Sequence, residues 1–386
     1  MIVAAAITIL GIAIGIGVTQ YRGLRMGGVI VVPLLAVYSL YSFEALPLFL
    51  VTATLAYCLV GLIRRHTLIY GRQLLLVSLA AGALGPVTLA LVFNRWAILG
   101  STVELAFTGT ILPGIAAYNY HKLDPEDRRL DLLVSAGLFV GLVAIAAALV
   151  SPTLATQLRS SLTSILFTPA SDIAQYRNAV AGSVPTTTTI DRVWMLCLFL
   201  GGLVLSELAH ARWGVRLGGL IAIPLLVALS IANAWTLGVF LAGVVVVYAS
   251  ITAINAITLI YGRVLLSLSV ITAMGYGVLV ASVAPTTVGF SLYFTVLLAG
   301  ISAYNYHRVA SAERLESVAL AAALYALLLA GTRTFVEPRE TGILTTVSAA
   351  EFAVLLGAVL FGIYCMHRLE TRRQTVANYH SRQVLA

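Results

Sequence analysis

Charge is scarce in this chain. Asp, Glu, Lys and Arg supply only 10% of its 386 residues, against 60% that are hydrophobic, and the mean hydropathy is +1.00. A water-soluble domain cannot cover its surface from so small a charged fraction. Apolar runs of about 20 residues recur along the whole length, each long enough to cross a bilayer, so the chain reads as an integral membrane protein. Cysteine is nearly absent as well. Cys58, Cys197 and Cys365 lie inside or at the end of apolar runs, at spacings that fit neither a disulfide framework nor a metal site, and read as small hydrophobes. Lys122 is the only lysine among 23 basic residues. No phosphate-binding Gly-rich loop, nucleophile elbow, HExxH or acidic pair in a sizeable soluble region occurs, so no catalytic residue, metal or cofactor is expected on this chain, and no nucleic-acid partner. The first run, from Ile2 to Thr19, has neither a basic leader nor a small-residue cleavage site, and reads as a retained span.

What the chain does have is repetition. "YRGLRMGGVIVVP" at 21–33 resembles "RWGVRLGGLIAIP" at 212–224, so that Arg25, Gly27, Gly28 and Pro33 fall on Arg216, Gly218, Gly219 and Pro224, an offset of 191. "LIYGR" at 68–72 returns at 259–263, again offset by 191, and "AYNYH" at 117–121 returns at 303–307, offset by 186. Three ordered matches with almost constant spacing indicate a tandem duplication.

Apolar runs punctuated by charge place spans near 2–19, 26–42, 45–63, 67–92, 96–118 and 132–150. The second copy gives 193–210, 217–232, 235–255, 259–283, 287–304 and 315–331, and an extra span lies near 348–366. The expected fold is an all-α polytopic bundle of two parallel six-span repeats plus one C-terminal span. Its expected divisions are a first membrane repeat (1–150), an extracytoplasmic linker (151–192), a second repeat (193–331), and the extra span with a basic cytoplasmic tail (332–386). An even number of spans per copy implies an axis along the membrane normal. With the N-terminus outside and the C-terminus in the cytoplasm, only Arg95, Arg159, Arg177, Arg192, Arg333 and Arg339 of the 23 basic residues face outward. The positive-inside rule therefore predicts that orientation in the plasma membrane, with every repeated polar landmark on the cytoplasmic side.

Each landmark carries two readings. Tyr118, Tyr120, Tyr304 and Tyr306, like Tyr70 and Tyr261, suit an interfacial aromatic belt. Asn119, His121, Asn305 and His307 do not follow from a belt, and could hydrogen-bond a carboxylate or a partner loop. Arg72 and Arg263 stand a few residues inside the inner end of a span, where an arginine either snorkels to the headgroups or meets an anion. Gly71 and Gly262 beside them allow close helix approach or local backbone exposure. The Gly-Gly and Pro landmarks predict a broken helix at the start of the second span of each copy, with Arg25 and Arg216 at its mouth as anion-facing residues or as plain anchors. "DPEDRRLD" at 124–131 reads as a solvated connector or docking loop.

"LIYGRQLLLVSLAAG" and "LIYGRVLLSLSVITA" resemble the Leu-Tyr-Gly-Arg segment of the PgsC/CapC family, the membrane component of poly-gamma-glutamate synthesis. "RGLRMGGVIVVP" and "VRLGGLIAIP" are similar to its Gly-Leu-Val-Val-Pro segment, and "ILPGIAAYN" to its Val-Pro-Gly-Leu-Ile-Ala-Asn segment. The chain departs from the family pattern in holding two units, in its "QYRG" and "ARWG" starts, and in Ala299 where the first copy has Pro113. The resemblance implies a non-catalytic or co-catalytic subunit of a capsule polymer synthase and export complex. Its partners would be a soluble ATP-dependent amide ligase (PgsB/CapB-like), a PgsA/CapA-like protein, the anionic polyglutamate chain and membrane lipids. Cytoplasmic arginines at a repeat interface would lower the barrier to a polyanion. A secondary transporter or channel for a small anion, and a structural anchor for an enzyme, are the alternative classes.

Overall fold

The computed structural model describes residues 2–41, 45–96, 111–150, 190–283, 289–346 and 348–384. The expected linker at 151–192 lies outside them except for its last residues. The described residues form thirteen α-helices and no strand. They are α1 (Ile2–Arg22), α2 (Val31–Tyr41), α3 (Ala45–His66), α4 (Gly71–Trp96), α5 (Leu112–His121), α6 (Arg128–Val150), α7 (Arg192–Trp213), α8 (Ala222–Ala232), α9 (Trp235–Thr258), α10 (Gly262–Val283), α11 (Gly289–His307), α12 (Arg314–Arg333) and α13 (Ala349–Val384). Nine are long and apolar enough to cross a membrane: α1, α3, α4, α6, α7, α9, α10, α12 and α13.

The stretches expected as spans at 26–42 and 217–232 are shorter than that. α2 and α8 have 11 residues each, about 16 Å of helix against a hydrocarbon core of about 30 Å. Both are apolar on every side and accordingly buried, through Ser39 in α2 and at all but two positions of α8, as expected for a helix without a polar face. Each has its proline at the third position, in the first turn, where a missing N–H costs no helical bond. Those prolines pack on glycines of the preceding helix. A Cβ on Gly11 would stand 2.5 Å from the Pro33 ring, and one on Gly202 would collide with Pro224.

The contacts group the chain into two compact units. One comprises Met1–Thr187 with Gly262–Phe294, the other Thr188–Tyr261 with Thr295–Ala386. In the first, α3, α4 and α5 pack together, α2 packs on α1 and α6, and α10 lies along α1. Gly82 of α4 and Gly114 of α5 meet backbone to backbone, too close for any side chain. Tyr293, at the start of α11, joins its hydroxyl to Thr8 of α1 at 2.6 Å inside this unit.

In the second unit α12 packs on α8 and α13, with Gly362 of α13 seated against Ala323. The segment between α12 and α13 folds back over the end of α8. The N–H of Ile343 donates to Ser230 O (3.0 Å), that of Arg339 to Ile231 O (3.3 Å), and the Thr341 hydroxyl to Ala232 O (2.9 Å). These bonds satisfy carbonyls that a helix ending short of water would leave orphaned.

Candidate functional site

The predicted helix breaks are present, and their construction is specific. Gly23 (φ 71°) closes α1, its N–H donating to Thr19 O at 3.0 Å, a left-handed cap that glycine adopts without steric cost. Met26 (φ 53°), Gly27 (φ 62°) and Gly28 (φ 115°) then turn the chain back toward α2. This winding converges the N–H groups of Arg25, Met26 and Gly27 into an anion-binding nest. The occupant is Asp131 of α6. Its Oδ1 accepts from Arg25 N–H (2.7 Å) and Met26 N–H (2.6 Å), and its Oδ2 from Gly27 N–H (3.3 Å). Asp131 is 0% exposed, so the last residue of "DPEDRRLD", read as a solvated connector or docking loop, is instead buried in the fold. A buried carboxylate is tolerated because charge-assisted bonds replace its water. The sequence signal was an acidic residue at the very start of an apolar span.

The loop 214–221 repeats the winding with Gly214 (φ 74°), Gly218 (φ 57°) and Gly219 (φ 118°). Position 317, which is 186 beyond Asp131, holds Ser317, and its hydroxyl donates to Arg216 O. The neighbouring Glu316 is 1% exposed and faces Arg368 (3.4 Å) and Arg372 (3.2 Å) of α13. Arg212 and Trp213 hold Glu370 of the same helix at 2.6 and 3.1 Å.

The pentapeptides clamp these loops. Asn119 Nδ2 donates to Gly27 O (3.2 Å) and to Ile115 O (2.9 Å), and a Cβ on Gly28 would stand 2.9 Å from it. Tyr120 lies over Gly27. In the second copy Asn305 Nδ2 donates to Ile301 O (2.8 Å) and lies 3.0 Å from a Cβ on Gly219, while the Tyr306 hydroxyl abuts Gly218. His121 stacks on Tyr57 of α3 (ring centroids 4.3 Å) and its Nε2 meets Tyr57 O at 2.9 Å. Arg128 donates to the Tyr57 hydroxyl at 3.0 Å. His307 and Arg314 gather likewise at Tyr248, with ring centroids 6.0 Å apart and the guanidinium 5.6 Å from the ring. Tyr57 and Tyr248 share the offset 191, and Arg128 and Arg314 the offset 186; the pattern was there to be found, but inside diverged text.

Both histidines end their helices outside the nine spans. Burial holds His121 below its ordinary pKa, helped by the charges of Arg64 and Arg128 and opposed by the bond to Tyr57 O. Burial, then Arg314, does the same to His307. Tyr118 carries Lys122 over its ring at 4.6 Å, and Tyr304, 7% exposed, carries Arg308 at 5.7 Å.

The "LIYGR" loops behave differently. Tyr70 and Tyr261 are 80% and 84% exposed. Gly71 (φ 60°) and Gly262 (φ 68°) start α4 and α10 with no heavy atom within 4 Å of a Cβ built on either. Of the two readings, close helix approach is corrected: these exposed glycines serve the left-handed turn. Arg72 is half-buried in the first turn of α4, Arg263 exposed in that of α10, and Arg216 half-buried in its loop.

Arg25 is half-buried, and its Nη1 is enclosed without a hydrogen-bond partner. Burial and then the like charge of Arg263 lower its pKa, with Tyr118, Asp124 and Asp131 opposing. Among the described residues no three His, Cys, Asp or Glu side chains gather as metal ligands would.

The family profile described as "Capsule biosynthesis CapC" matches residues 10–129 and again residues 201–315. Its two starts differ by 191 and its two ends by 186, the offsets of the repeated landmarks. No curated protein matches the chain. No solved structure matches it.

Proposed function

Because the chain belongs to the capsule biosynthesis CapC family and its described residues include nine helices able to cross a membrane, we propose that it is the membrane subunit of a poly-gamma-glutamate synthase and export complex. The double family match is the observation that carries this reading. Peptide-bond formation falls to a soluble ATP-dependent ligase of the PgsB/CapB kind, docked on the cytoplasmic side, with a PgsA/CapA-like protein assisting export. This chain contributes the membrane passage. Each of its two broken helices carries an arginine-bearing loop, and oriented amides and guanidinium groups of that kind lower the cost of bringing negative charge to a membrane. Asn119 and Asn305 act by holding those loops, His121 and His307 by joining the same helix ends to Tyr57 and Tyr248, and the exposed Tyr70 and Tyr261 serve as interfacial or partner-contacting rings.

The test is mild solubilisation of native membranes, co-purification on this chain, and identification of partners alongside polymer yield. Recovery of a ligase, with polymer lost on deletion of this chain, is expected. Absence of a ligase together with unchanged polymer overturns the reading. Broken helices at corresponding positions of two copies also suit a small-anion transporter. Uptake of radiolabelled glutamate or phosphate by proteoliposomes holding this chain alone would favour that class.

A further inference from the structure

We propose that Arg25 and Arg263 form one oxyanion site, taking a single carboxylate of the exported chain. This rests on the functional reading above and names the group that the site binds.

The two arginines come from different copies of the repeat, and the fold unites them. α10 packs along α1, and the Tyr293–Thr8 bond ties the residues that follow α10 to the early turns of α1. α10 therefore runs antiparallel to α1 and begins beside the loop that carries Arg25. Arg263 is the second residue of α10, so the positive end of a 22-residue helix adds to its charge. Arg25 is preorganised, because its own N–H is one of the three held by Asp131. Its side chain is not satisfied: Nη1 is enclosed and bonded to nothing. A buried guanidinium nitrogen without an acceptor is costly, and the like charge of Arg263 acts on Arg25. Both penalties are relieved by an oxyanion between them.

The counter-charges nearby do not fill that role. The Asp131 carboxylate is committed to the backbone, and Asp124 is exposed to solvent. Lys122, over Tyr118, adds a third cation at the rim. A planar guanidinium fork matches a two-oxygen anion, and a carboxylate on a polymer and the phosphate of a lipid headgroup share that chemistry.

The experiment uses the full chain in nanodiscs of zwitterionic lipid and a fluorescent gamma-linked hexaglutamate. Arg25→Gln and Arg263→Gln should each weaken binding at least tenfold. The double variant should lose less than the product of the two, because both side chains act on one carboxylate. Arg25→Lys should recover part of the loss, and Arg129→Gln, an equal charge change at an exposed site, should bind as the parent does. All variants keep the backbone N–H of residue 25, and their thermal midpoints are measured to show that the loop persists. Either single glutamine variant binding like the parent overturns the proposal, as does a fully multiplicative double loss. Displacement of hexaglutamate by anionic phospholipid added to the discs also overturns it, making the pair a headgroup site. If no ligase co-purifies with the parent chain while hexaglutamate binding depends on both arginines, the synthase reading fails and the site stands.

Discussion

Replacing Asp131 by alanine should unlatch the first broken helix. The carboxylate accepts two short bonds, at 2.7 and 2.6 Å, and one long one at 3.3 Å. Hydrogen bonds to a charged acceptor contribute about 1.5–3 kcal/mol each. Removing one side of a buried charge arrangement costs about 3–5 kcal/mol, because the partners are left without water. Counting the long bond as minor, about 3–5 kcal/mol is expected for Asp131→Ala. Asparagine keeps one acceptor oxygen but turns an amide donor toward Gly27 N–H, and should lose roughly half as much.

Deuterium exchange of residues 23–30 in detergent reads the change locally. At 1.4 kcal/mol per tenfold, Asp131→Ala should accelerate exchange at the amides of residues 25–27 by roughly 100- to 4,000-fold. Ser317→Ala removes one neutral bond to Arg216 O and should speed exchange in 214–221 by about tenfold or less. Unchanged exchange at 25–27 in the alanine variant would refute the claim that Asp131 holds the loop.

Gly28→Ala meets Asn119 Nδ2 at 2.9 Å as well as a φ of 115°, whereas Gly71→Ala meets only strain at φ 60° in open space. The first should cost about 2–3 kcal/mol and the second about 1, and equal thermal shifts would contradict the clamp. The neutral form of His121 is favoured in the fold, so between its lowered folded pKa and the unfolded value near 6.5 the unfolded chain binds more protons. Stability should therefore fall as pH drops below about 6.5, and His121→Gln should flatten that slope in a thermal series. Arg368→Gln with Arg372→Gln strands the buried Glu316 carboxylate and should loosen α13, read as protease cleavage between 334 and 348, while Glu316→Gln should be nearly neutral. The proposed orientation is tested by Ser381→Cys, which an impermeant thiol reagent should leave unlabelled in intact cells.

The sequence by itself determined the membrane class, the duplication and the places where helices break. Those depend on composition, on periodicity and on Gly and Pro, whose backbone preferences act locally. It could also show that "AYNYH" is kept while its apolar neighbours drift. What those residues touch was decided only in three dimensions. Asn119 reaches a glycine carbonyl 92 positions away, and His121 a carbonyl 64 positions away. The sequence pattern could not distinguish such clamps from ligands, because a polar side chain at a helix end suits both. Asp131 sits at the end of a charged stretch that reads as a connector or docking loop, and only the converging amides of a distant loop allow its burial. The packing of α10, from the second copy, along α1 is likewise tertiary. A repeat records how the chain was built, whereas helix partners are chosen by close packing of small residues and by the burial of polar groups.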